Sequence, residues 1–185
     1  MSPHPDDATL IPAAPPAAAI LVDGPVAVDA LLADIADEQQ RSGRRVSGLL
    51  MTYPSPEKGC AGDMVLVDLE TRERYPVSQQ LGRGSNACRA DTQGFARASE
   101  VLRRALERAP DLVICNRFGG LEAEGGGFAA ELLEVMSRGI PLLTAVAQRH
   151  LDAWNRFSGG APVLRADRGD VLAWLEQRHA APPAA

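Results

Sequence analysis

Short apolar runs alternate with helix-forming segments along most of the chain, and this alternation restricts the fold more than any other feature of the sequence. Ala18–Val22, Val46–Met51, Asp111–Cys115 and Ile140–Val146 each have the length and apolar character of a buried strand. Between them, apolar residues recur every three or four positions, as they do on one face of a helix. This order predicts a three-layer α/β domain, in which a mostly parallel sheet has helices on both faces.

The middle of the chain departs from this alternation and predicts a β-hairpin. Met64–Leu69 and Arg74–Ser78 flank the polar residues Glu70–Glu73, as two antiparallel strands flank their turn. The 185 residues fit one domain, which we place at residues 18–179. Residues 1–17 are rich in Pro and Ala and, like residues 180–185, lack periodicity, so we predict a disordered leader and a disordered tail.

Composition excludes several classes of partner. A net charge of -5 and only 4% aromatic residues argue against a nucleic-acid surface, which needs a basic face or stacking platforms. No apolar run is long enough to span a membrane. The three cysteines are scattered and odd in number, which fits a reducing compartment and predicts a cytoplasmic protein. The three histidines are far apart, so no metal site is expected.

Ligands of parallel α/β sheets bind beyond the carboxyl ends of the strands. That rule selects the loops at residues 23–29, 82–89, 116–127 and 147–150. The segment GRGSNACR at residues 82–89 carries the most hydrogen-bond donors of these loops. Its glycines allow backbone N–H groups to approach a ligand, and successive N–H groups in a turn form a nest that suits an oxyanion.

The candidate ligand-binding residues are Gly84, Ser85, Asn86, Cys88, Arg89, Asn116 and Arg117. Ser85 and Asn86 offer neutral donors, and Arg89 can hold an anion through two parallel hydrogen bonds. Asn116 and Arg117 add donors from the neighbouring strand end. A tetrahedral dianion needs donors from several directions and no Mg²⁺, and this set of residues supplies them.

The same residues also have simpler structural explanations, which the sequence leaves open. A Gly-Ser-Asn segment is often only a turn. Arg117 could pair with Glu122 or Glu124 in a surface ion pair that adds little to stability. Cys88 and Cys115 fit small buried side chains better than nucleophiles. The segment EAEGGG that begins at Glu122 is typical of a flexible, solvated loop.

Several segments, taken in chain order, resemble the small P-loop nucleoside triphosphatases first described in thermophiles and humans. They are ILVDGPVAVDALL, RVSGLL, MVLVDLETRERYPVS, LGRGSNACRADTQGFARASEVLRRAL and DLVICNRFGGLE, which together span residues 18 to 160 or so. The GS-x-x-CR loop and the NRFG turn also resemble a bacterial domain family of unknown function that is often encoded near molybdate-transport genes. These resemblances imply a P-loop nucleoside triphosphatase-like fold and a role in molybdenum homeostasis.

The departures from the nucleoside triphosphatase pattern argue against hydrolysis. A working phosphate loop reads G-x-x-x-x-G-K-[ST]. Here Gly24 remains, but Val28 stands in place of Lys and Asp29 in place of Ser/Thr. The later strand, which ends in Asp-Glu in those enzymes, ends here in Asn116-Arg117, and neither side chain suits Mg²⁺ or acts as a base. We therefore expect no catalytic residue and no MgATP hydrolysis, and we expect Asp29 to cap the first helix.

Three functions follow from this reading. The first is a non-hydrolytic protein that binds a small inorganic oxyanion, with molybdate or tungstate favoured only by the family resemblance and no other cofactor implied. The second is a nucleotide-binding phosphotransferase with an altered loop, which would need a substitute cation; the only lysine, Lys58, follows the second strand. The third is a regulatory module that binds a protein partner or a second copy of itself.

Overall fold

The computed structural model describes residues 14–23, 27–53, 64–80 and 88–180. The strands in these ranges are β1 Ala17–Val22, β2 Val46–Thr52, β3 Val65–Asp68, β4 Arg74–Pro76, β5 Ser78–Gln80, β6 Cys88–Ala90, β7 Leu112–Phe118, β8 Leu142–Ala147 and β9 Val163–Leu164. The helices are α1 Val28–Arg41, α2 Thr92–Arg108, α3 Gly120–Ala123, α4 Ala129–Ser137, α5 Leu151–Ser158 and α6 Arg168–Ala180.

Seven strands form one mostly parallel sheet in the order β4-β3-β2-β7-β8-β1-β9. The pairs β2–β7, β7–β8, β8–β1 and β1–β9 are parallel, whereas β3 and β4 are antiparallel to their neighbours. The mixed α/β fold and the hairpin that the sequence predicts are confirmed. β5 and β6 form a separate antiparallel pair.

Helices cover both faces of the sheet, because its central strands are apolar on both sides. On one face, α2, α4 and α5 pack over a core that includes Phe118 and Trp154. On the other face, α1 and α6 contribute Ile35 and Trp174. Leu112 to Cys115 of β7 are fully buried, as a strand between two helical layers must be.

The ends of several elements differ slightly from the sequence predictions. β1 begins at Ala17 and α6 ends at Ala180, so each reaches one residue into a segment assigned to the leader or the tail. Asp91 caps α2 as predicted, since its carboxylate accepts a hydrogen bond from the Gln93 N–H at 3.0 Å. β7 continues to Phe118, so Asn116 and Arg117 lie inside the strand rather than beyond its end.

None of the described helices is both long enough and apolar enough to cross a bilayer.

Candidate functional site at the carboxyl edge of the sheet

Asp29 connects the first helix to the end of the central strand. Its carboxylate accepts two hydrogen bonds from Nη2 of Arg117, at 3.0 and 3.2 Å, and a further one from Nδ2 of Asn116. The side chains of Arg117 and Asp29 are 36% and 25% exposed, while Asn116 is fully enclosed. The three residues therefore form a half-buried cluster of nearly neutral charge, which we call the edge cluster.

The contacts of Asp29 correct one prediction. We expected its carboxylate to cap α1, but Ala27 occupies the N-cap position and no side chain caps the helix there. Asp29 lies in the first turn, where a negative charge is still favourable for the helix dipole. Two charged or amide donors from β7 are stronger partners for a carboxylate than one backbone N–H. The Asp29 carboxylate therefore binds Asn116 and Arg117 of β7 instead of capping α1.

The structure also decides an alternative that the sequence left open, because Arg117 pairs with Asp29 and not with Glu122 or Glu124. Glu122 is 5% exposed and belongs to α3, not to a solvated loop. Its carboxylate accepts hydrogen bonds from the N–H groups of Gly119 at 3.0 Å and Phe128 at 3.1 Å. Glu122 thus closes the turn that follows the edge cluster, and it is a structural residue that the sequence did not reveal.

A glycine completes this turn, because Gly127 packs directly on the Glu122 carboxylate. A Cβ atom at position 127 would lie 2.1 Å from Oε1 of Glu122, and the backbone there has a φ of +55°. Only glycine fits both restrictions. The GGG run therefore reflects packing against a buried acid at its last position rather than flexibility.

The strands that flank the predicted donor loop are also fixed at the carboxyl edge. β3 starts opposite the end of β2, where Val65 pairs with Thr52. The residue before it, Met64, donates its N–H to Oγ of Ser78 at 2.8 Å, and Val77 donates its own N–H to Met64 at 2.9 Å. β5 therefore begins at the same edge of the sheet as the edge cluster.

The structure locates the seven candidate ligand-binding residues unequally. Gly84, Ser85 and Asn86 lie outside the described residues. Cys88 and Arg89 belong to β6, whose backbone pairs with β5, and their side chains are not described. Asn116 and Arg117 are described in full, and both side chains donate hydrogen bonds to the carboxylate of Asp29. Convergence of all seven on one ligand remains a prediction.

The charges of the edge cluster affect the pKa of Tyr53. It follows the last residue of β2 and is 41% exposed. Partial burial raises the pKa of its hydroxyl; the positive charge of Arg117 opposes this increase, and the negative charge of Asp29 adds to it. Tyr53 therefore borders the cluster, although the sequence analysis did not select it.

A small cavity lies beside the edge cluster, between β7 and the start of α3. Its volume is about 170 Å³. Its lining is mainly apolar and consists of Met51, Leu66, Phe95, Asn116, Arg117, Gly119, Gly120, Leu121, Glu122 and Phe128. Among the described residues, two buried atoms of the cluster have no hydrogen-bond partner, Oδ1 of Asn116 and Nε of Arg117.

The described residues form no cluster of metal-binding side chains at this edge. No group of three or more His, Cys, Asp or Glu residues is arranged there to hold an ion. Cys115 is fully buried, and burial raises the pKa of its thiol well above the usual value. This agrees with the prediction that Cys115 is a packing residue.

The seven-stranded, mostly parallel sheet with helices on both faces is similar to the fold of P-loop nucleoside triphosphatases. The solution structure of a human cancer-related nucleoside triphosphatase matches with a TM-score of 0.60, over 85% of this chain and 92% of that one. Since the two are 18% identical, the likeness concerns the fold alone. A family model described as a protein of unknown function (DUF2478) matches residues 17–174, and the chain belongs to that family.

One curated relative is the molybdenum import ATP-binding protein ModC 2 of Bradyrhizobium diazoefficiens. It is 37% identical over 158 residues, which amount to 85% of this chain. The chain spans only 18% of the length of that relative. The expected family of unknown function is thus confirmed, while the expected gene neighbourhood stays a prediction.

Proposed function

We propose that the domain binds a small tetrahedral oxyanion, molybdate or tungstate, without hydrolysing a nucleotide, and that it serves molybdenum uptake. The observation that carries the proposal is the edge cluster. By the sequence resemblance, Asp29 corresponds to the phosphate-loop hydroxyl of nucleoside triphosphatases, and the pair Asn116–Arg117 corresponds to their strand-end acids. Their charges are reversed, with the acid on the helix and the cation on the strand.

With these residues, the edge cluster lacks the groups that MgATP hydrolysis requires. The carboxylate of Asp29 would repel a triphosphate that approaches α1. A guanidinium cannot bind Mg²⁺, and it cannot activate water because it stays protonated. Arg117 can, however, hold an anion directly, which is what an oxyanion without a metal partner requires.

The remaining donors of the proposed site come from the loop before α2. Arg89 is the charged donor, with Ser85, Asn86 and the backbone of Gly84 beside it. Support for this part comes from the donor-rich sequence and from the anchoring of β5 at the carboxyl edge. The choice of molybdate or tungstate rests on the name of the relative, a molybdenum import protein.

A second candidate function is nucleotide binding without hydrolysis. It is favoured by the fold and by the words "ATP-binding" in the name of the relative. The match to 18% of that protein leaves most of its length without a counterpart here, so its ATP site need not lie in the shared segment.

A thermal-shift experiment separates these candidates. A ligand at one hundred times its Kd adds about 2.7 kcal/mol of stability, or about 5–10 °C for a chain of this length. Molybdate or tungstate should produce this rise without Mg²⁺, and sulfate should produce less. Arg89→Ala should reduce the rise, whereas Arg97→Ala, which removes the same charge from an exposed position on α2, should not.

Two results would contradict the proposal. One is the absence of any stabilisation by molybdate, tungstate, sulfate and phosphate at millimolar concentration. The other is phosphate release from ATP in single-turnover assays that Arg89→Ala or Ser85→Ala abolishes. In the second case the domain would hydrolyse ATP, and the segment that contains Ser85 and Arg89 would contribute to that reaction.

A further inference from the structure

We infer that Asp29 determines the specificity of the proposed oxyanion site, because its carboxylate holds Arg117 as an internal anion and a ligand must take Arg117 from it. The inference rests on the proposed function. It assigns to Asp29 a role that neither its sequence position nor the fold requires.

The geometry of the pair shows that Asp29 uses the guanidinium incompletely. Both of its hydrogen bonds from Arg117 come from one nitrogen, Nη2. A fork-to-fork pair would use two nitrogens and give two parallel bonds. Nε of Arg117 is instead buried without a partner among the described residues. An anion that engaged both Nε and Nη2, once the Arg117 side chain turned to expose Nε, would therefore bind Arg117 better than Asp29 does.

A tetrahedral oxyanion has the shape for such an exchange. Two of its oxygens can accept from the edge of the guanidinium, and the others remain available to further donors. A dianion also carries more charge than one carboxylate. The released Asp29 side chain, already 25% exposed, can be hydrated by solvent.

Internal competition of this kind makes the site selective. Neutral molecules cannot displace a carboxylate from an arginine, and monoanions gain little by doing so. Asn116 strengthens the requirement, because its amide also donates to Asp29 and is released in the same exchange. The ligand class that fits is therefore a compact dianion with several acceptor oxygens.

The test measures molybdate binding by titration calorimetry at constant ionic strength in three proteins: wild type, Asp29→Asn and Asp34→Asn. Asp34 lies on the same helix, is exposed, and loses the same charge in its variant. Asp29→Asn should bind molybdate at least about tenfold more tightly than wild type, equivalent to ~1.4 kcal/mol. Asp34→Asn should stay within about twofold.

A second measurement covers the case in which Asp29→Asn does not fold. The Arg117 Nε–H resonance of the wild-type protein, identified by its loss in Arg117→Lys, should move when molybdate is added. No movement at saturating molybdate would overturn the inference, as would an Asp29→Asn variant that binds no more tightly than Asp34→Asn.

The outcomes also separate the inference from the proposed function. If wild type binds molybdate and Asp29→Asn binds it equally, the proposed function stands and the inference fails. If only Asp29→Asn binds molybdate, Asp29 does block an anion site, and the proposed function of the wild-type protein fails.

Discussion

Glu122 offers a quantitative test of the turn that follows the edge cluster. Its buried carboxylate accepts one hydrogen bond from the Gly119 N–H and another from the Phe128 N–H. In Glu122→Gln the shape of the side chain is kept, but one oxygen becomes an NH₂ group. That group faces a backbone donor and leaves it unpaired, while the other hydrogen bond loses its charge assistance.

The expected cost follows from these two changes. An unpaired buried donor costs about 1–3 kcal/mol, and the loss of charge assistance adds roughly 1 kcal/mol. The sum is about 2–4 kcal/mol, which for a chain of this length lowers Tm by on the order of 5–15 °C. Thermal unfolding followed by circular dichroism would measure it, with urea unfolding as an independent value.

Glu124→Gln is the matched control for this prediction. Glu124 is two residues away on the same turn and exposed, so the same substitution should change the free energy of unfolding by less than about 0.5 kcal/mol. Equal Tm values for the two variants would refute the reasoning, since they would mean that the Glu122 carboxylate does not hold the turn in solution.

Three further predictions concern the core and the opposite end of the molecule. Gly48→Ala should lower the free energy of unfolding in urea by about 3 kcal/mol or more, because its Cβ would lie 1.9 Å from the Ile114 carbonyl oxygen at a φ of +128°. Gly43→Ala is the control, because no atom lies near its Cβ, and it should lower that free energy by about 1 kcal/mol. Cys115 should react with iodoacetamide far more slowly in the native than in the unfolded protein, since burial raises the pKa of its thiol, and peptide mass spectrometry would measure the two rates. Burial lowers the pKa of His179 below its usual 6.5, so the unfolded chain binds the proton more readily and stability falls as the pH drops through that value; His179→Gln should flatten the dependence of Tm on pH between about 7.5 and 5.5.

The sequence predicted the sheet because local patterns determine most of it. The runs that became β1, β2, β7 and β8 are apolar on both faces, which only a strand between two helical layers can satisfy. The hairpin and the Asp91 cap likewise depend on neighbours within a few residues. In such cases periodicity and turn chemistry carry the necessary information.

The edge cluster could not be predicted in the same way. Asp29 and Arg117 are 88 residues apart, and no periodicity relates one to the other. Local rules predicted Asp29 as a helix cap, and they offered only nearby acids as possible partners of Arg117. The burial of Glu122 was not predicted either, because its carboxylate is held by backbone N–H groups, and the sequence does not show which N–H groups lack a backbone partner. Long-range pairing decides the positions of Asp29 and Arg117, whereas Glu122 pairs with N–H groups three and six residues away.

The reversed charges at the carboxyl edge also constrain the nucleotide-binding alternative. If ATP bound here, Arg117 would have to replace the missing phosphate-loop cation, and Asp29 would have to leave it first. Asp29→Asn would then tighten ATP binding as well as molybdate binding. The two ligands would still differ in their response to Mg²⁺, which neutralises free ATP and so should weaken its attraction to Arg117. Molybdate carries no bound metal in solution, so its affinity should be unaffected by Mg²⁺ at constant ionic strength. ATP affinity that rises with Mg²⁺ would instead require a metal site at this edge and would contradict the role assigned to Arg117.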